Sequence, residues 1–108
     1  MRAPLISLTG LLLAFSFSMP ANAENYVLTI KDNQFSPSEL VVPAGQKIKL
    51  VVKNADPTPA EFESTDLNRE KLVTGGNKII IYIGPLDAGT YSYFNDFHRE
   101  TKGTIVAR

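Results

Sequence analysis

The segment Lys47 to Lys53 alternates with a period of two: Ile48, Leu50 and Val52 fall on one side, Lys47, Lys49 and Lys53 on the other. Only an extended strand gives one wet and one dry face with that period, because a helix repeats every ~3.6 residues. Tyr26 to Lys31 repeats the pattern, with Tyr26, Leu28 and Ile30 on one face and Val27, Thr29 and Lys31 on the other. Phe35-Ser36-Pro37 and Leu40-Val41-Val42 read as one bent strand, which cannot be central where Pro37 lacks a backbone donor. Further strands are expected at Glu61–Ser64, at the β-branched run Lys78–Ile83, at the aromatic run Thr90–Phe94 and at Thr104–Ala107. Turn chemistry separates them at Asp32-Asn33-Gln34, Pro43-Ala44-Gly45, Asn54–Ala60, Thr74–Asn77 and Gly84–Gly89. Thr65 to Val73 fits a helical turn and an irregular crossover equally well. Short strands at such spacing with no long helix specify an all-β sandwich.

The first residues follow a different logic. Arg2, the apolar run Leu5–Phe17 and the small-residue site Ala21-Asn22-Ala23 have the form of a secretory signal peptide, with cleavage expected after Ala23. The apolar run is too short to span a bilayer as a helix. The exported chain is then 24–108, a single domain of 108 − 23 = 85 residues. Without Arg2 it carries 11 − 1 = 10 basic against 11 acidic residues, so no net field draws nucleic acid or an anionic membrane. Cysteine is absent, and both methionines, Met1 and Met19, lie in the leader, so the exported chain has no soft metal ligand.

Chemistry is confined to a few residues. His98 is the only histidine, and Asp96 and Glu100 flank it in an expected loop. Glu61 and Glu63 share one strand face, outward if Ala60 and Phe62 point inward; they are surface pairs opposite the lysines of another strand, or metal contacts. Carboxylates with one imidazole make a hard, oxygen-rich set, suited to iron, manganese or weakly held Cu(II) rather than Cu(I). Tyr82, Tyr91, Tyr93, Phe94 and Phe97 read as core and rim packing, and Asn95 as an inward amide that fastens a loop. Nucleophilic schemes lack parts with one histidine and no cysteine, and Gly75-Gly76 does not lie between a strand and a helix as a phosphate loop requires.

The phrases FSPSELVVPAG (Phe35–Gly45) and TYSYFNDFHRETKG (Thr90–Gly103) resemble a cupredoxin, which implies a Greek-key β-sandwich over nearly all of 24–108. On that pattern Asn95 stands where the family has a cysteine ligand, Ala60 where it has its first histidine, His98 at the loop histidine and Gly103 at the glycine before the last strand. A type 1 copper site needs that thiolate and two imidazoles, so blue-copper electron transfer is excluded. The phrases EFESTDLNREK, IGPLDAGTYSYF and DFHRETKG further resemble small periplasmic cupredoxin-like proteins of bacterial ferrous-iron uptake. That resemblance implies an iron or copper ion, an iron-binding periplasmic partner and a membrane permease. It yields three readings: a metal-binding accessory using His98 with some of Glu61, Glu63, Asp96 and Glu100; a metal-free docking module; and an autonomous ferroxidase. A homodimer sharing one site through two copies of His98 is a further arrangement to test.

Overall fold

The computed structural model describes residues 25–108; the expected signal peptide lies outside the described residues. Nine strands follow in order: β1 (Asn25–Lys31), β2 (Gln34–Ser36), β3 (Glu39–Val42), β4 (Ile48–Asn54), β5 (Ala60–Ser64), β6 (Arg69–Val73), β7 (Lys78–Ile83), β8 (Gly89–Asn95) and β9 (His98–Ala107). They form a four-stranded sheet ordered β2-β1-β4-β7 and a five-stranded sheet ordered β3-β9-β8-β5-β6. Two packed sheets, with β1 parallel to β4 and β3 parallel to β9, bury what the alternation marked as apolar. Leu28, Ile30, Ile48, Leu50 and Val52 are all at most 1% exposed, as their spacing predicts.

Pro37 behaves as its missing donor requires. The expected single bent strand is divided in two: the chain leaves the first sheet after β2 and enters the second at β3, and both flanking strands are sheet edges. Between the sheets Phe35, Phe62 and Tyr93 form an aromatic cluster, with Tyr93 4.8 Å edge-on from Phe35 and 5.2 Å from the stacked Phe62 ring. Of the aromatic residues expected to pack, Tyr93 is fully buried, whereas Tyr82 and Phe97 are about half exposed.

Two boundaries differ from expectation. Thr65–Val73 is neither a helical turn nor a crossover along its length: Arg69–Val73 is edge strand β6, antiparallel to β5 with Ala60 opposite Val73 and Ser64 opposite Arg69. Only Val73 of that strand is buried, so no alternation marks it in the sequence. The loop expected between Phe94 and Thr104 contracts to a turn at Asp96-Phe97, because His98 already pairs with Asn95 and β9 runs ten residues from there. The extra residues are absorbed as an irregularity: Phe94 faces Lys102 while its neighbour Asn95 faces His98.

Candidate metal centre

The β8–β9 turn is held by one side chain. Asn95 is 1% exposed. Its Oδ1 accepts the backbone N–H of Glu61 at 2.9 Å and that of Phe97 at 3.1 Å, while the Asp96 N–H donates to the Glu61 carbonyl at 2.9 Å. The amide therefore welds the turn to β5, the fastening role expected of it. A second buried amide, Asn54, works the same way at the β4–β5 loop, donating to the carbonyls of Thr58 and Val73 at 2.8 and 3.0 Å and accepting the Asp56 N–H.

These contacts settle the copper question geometrically. Ala60 is buried and offers no ligand, and the Asn95 amide oxygen is already engaged by two N–H groups. With neither cysteine nor methionine in 25–108, the residues present do not fit a type 1 copper centre.

His98 opens β9 with its ring 44% exposed, and its Nδ1 lies 3.9 Å from Glu100 Oε2. Glu100 itself extends into water. Asp96 is paired: its Oδ1 lies 2.6 Å from an Arg99 guanidinium nitrogen, and that guanidinium sits 5.2 Å from the Phe94 ring centre. Asp96 is thus neutralised at one oxygen by a base three residues on.

Glu61 and Glu63 do share a face, but no lysine stands opposite them. Glu63 faces Glu70 on β6 and Phe94 on β8, and Glu61 faces Leu72. Carboxylate oxygens of Glu61, Glu63 and Glu70 all lie within 4.8 Å of one another, the one such acidic group among the described residues. Among the described residues no base is ion-paired with any of the three. Like charges directly opposite across a strand pair are unfavourable. The Glu61 carboxyl is accordingly pushed above its ordinary range, by partial removal from water first, then by a hydrogen bond with Asp96 and the negative charges of Glu70, Asp96 and Glu63. A hard cation at this point would relieve the repulsion and find three oxygen ligands. The structure therefore brings Glu61 and Glu63 together, adds Glu70, and leaves His98, Asp96 and Glu100 outside the group. Glu70 could be found only through the Glu63–Glu70 register, which depends on recognising β6 as a strand.

Comparison with known proteins agrees with this architecture. The family model for the cupredoxin-like domain matches residues 4–107. An uncharacterized protein of Rickettsia prowazekii (strain Madrid E) is 49% identical over 80 residues, covering 73% of this chain and 64% of that protein. Among solved structures, auracyanin A, a "blue" copper protein from Chloroflexus aurantiacus, superposes with a TM-score of 0.69 at 16% identity, covering 81% of this chain and all of that one. A purple cupredoxin from Nitrosopumilus maritimus gives 0.62 at 20% identity, over 77% of this chain and 99% of its own. At such identities these structures share the fold alone. With the family match spanning nearly the whole sequence, the chain belongs to the cupredoxin-like domain family.

Proposed function

We propose that this protein is an exported metal-handling accessory of iron uptake, holding a hard cation on the carboxylates of β5 and β6. The observation that carries this reading is the group of Glu61, Glu63 and Glu70 within 4.8 Å, with no ion-paired base among the described residues. Three carboxylates bind through oxygen and exchange a divalent ion readily, which suits passing it on rather than storing it. Iron, a periplasmic iron-binding partner and a membrane permease enter from the resemblance of the Glu61–Lys71 and Asp96–Gly103 segments to proteins of ferrous-iron uptake. His98 stands on the neighbouring hairpin, available to a metal that the carboxylates have released.

The test is an anaerobic titration of residues 24–108 with Fe(II), and separately with Mn(II) and Cu(II), followed by NMR. The expected result is saturable broadening centred on Glu61, Glu63 and Glu70, with the doubly substituted Glu63→Gln, Glu70→Gln chain binding at least about tenfold more weakly. His98→Ala reports whether the imidazole takes part. If no metal broadens these residues well above the protein concentration, the metal reading fails and the docking-module reading stands in its place.

A further inference from the structure

Charge is unevenly divided between the two sheets. The strands of the four-stranded sheet carry Lys31, Lys49, Lys53 and Lys78 and no carboxylate. Every glutamate that lies in a strand, Glu39, Glu61, Glu63, Glu70 and Glu100, belongs to the other sheet. In a near-neutral chain, the charged residues in the strands of one sheet are thus all basic.

The registers arrange that face in rows. Val27, Val51 and Ile80 align across β1, β4 and β7, with Val27 37% and Ile80 47% exposed. On one side runs the row of Lys49 and Tyr82, over whose ring the Lys47 ammonium lies at 5.8 Å. On the other side Lys53 and Lys78 stand directly opposite each other, beside a hollow of about 410 Å³ that Thr29, Gly76 and Asn77 also line. The apolar row is therefore flanked on both sides by rows that carry lysines. Paired lysines repel each other unless an anion lies between them.

The dimensions select an occupant. The row crosses two interstrand spacings of about 4.8 Å, close to 10 Å, which two turns of an α-helix also span at about 5.4 Å each. We propose that this face docks an amphipathic helix of a partner protein, its apolar stripe on Val27, Val51 and Ile80 and its flanking carboxylates against Lys49, Lys53 and Lys78. A second copy placed symmetrically would set lysine against lysine, and bilayer binding scales with buried apolar area, of which Val27, Val51 and Ile80 offer little.

The probe is an end-blocked synthetic helical peptide with leucines at i, i+4 and i+7 flanked by glutamates, titrated into isotope-labelled residues 24–108, which contain every strand of both sheets. Two control peptides carry serine for leucine or lysine for glutamate; a third arm uses vesicles of phosphatidylglycerol and phosphatidylethanolamine. The expected result is joint movement of the Val27, Val51 and Ile80 amides with the acidic peptide, weakened at least tenfold by both controls, by Ile80→Ser and by Lys53→Glu with Lys78→Glu, and reduced by salt. Circular dichroism of each variant checks that the sandwich is intact. The proposal is overturned if these amides do not move, if the serine control binds as well, if vesicles alone move them, or if they shift with protein concentration in the absence of peptide.

Discussion

Replacing Gly103 by alanine tests how tightly the interior is closed beneath the last strand. A Cβ built there would lie 2.5 Å from the Tyr93 hydroxyl, 2.7 Å from Tyr93 Cζ and 2.8 Å from the Ser38 carbonyl oxygen. None of these neighbours can yield cheaply. The Tyr93 ring is wedged between Phe35 and Phe62, and the Ser38 carbonyl accepts the Thr104 N–H at 2.9 Å. Overpacking of a fixed interior costs about 1–3 kcal/mol, and rigid surroundings put this site in the upper half of that range. For a domain of this size about 2 kcal/mol lowers the melting temperature by about 8–16 °C. Thermal and urea unfolding by circular dichroism measure it, with an unchanged urea slope showing that the midpoint shift is a change in stability. The Tyr93 hydroxyl is buried with no hydrogen-bond partner among the described residues, so Tyr93→Phe alone is expected to be neutral or stabilising. In the double variant it relieves the 2.5 Å contact while leaving those at 2.7 and 2.8 Å, so recovery is partial, with a coupling of about 0.5–1 kcal/mol. A Gly103→Ala chain as stable as the parent within about 0.5 kcal/mol would refute the argument.

Asn95→Ala strips the acceptor from the Glu61 and Phe97 N–H groups and leaves a void; chemical denaturation should show a loss of about 2–3 kcal/mol, and hydrogen exchange should quicken at those two amides first. Two carboxylates give opposite pH signatures. Asp66 is held below its ordinary range by the Ser92 N–H and hydroxyl, so its folded pKa lies under its unfolded one; its stabilisation is present above about pH 4 and lost as pH falls through the folded value. Asp66→Asn should therefore destabilise at neutral pH and match the parent in strong acid. Glu61 is raised, so its ionised form weighs against the fold above its folded pKa; Glu61→Gln should stabilise the metal-free protein near neutral pH, the gain fading below about pH 4.

The strands that bury one clean face were legible from sequence, since β1 and β4 alternate as a two-faced sheet demands and their inward residues are the core. β6 was not. It is an edge strand whose Glu70, Lys71 and Leu72 all face water, so the hydrophobic period that identifies a strand is missing. Glu70 went unrecognised with it, because its place beside Glu63 is a property of register between strands and not of spacing along the chain. His98 was legible as a candidate, but its surroundings were not: an irregular pairing between Phe94 and His98 converts the expected loop into strand and leaves the ring beside Glu100 instead of the β5 carboxylates. Asn95 was read correctly because a polar residue at an inward position of a strand must find partners.

The closure at Asn95 has a consequence for how the protein can be used. In a protein whose ligand loop is tied down by its metal, binding free energy is also folding free energy, and apoprotein is a loosened form. Here a single amide, hydrogen-bonded to the main chain of β5 and of its own turn, fastens that end of the sandwich with nothing that can dissociate. That end of the sandwich is therefore held by protein atoms alone, whether or not the carboxylates of the proposed site carry an ion. Under the function proposed above, loading and release would leave the scaffold equally intact.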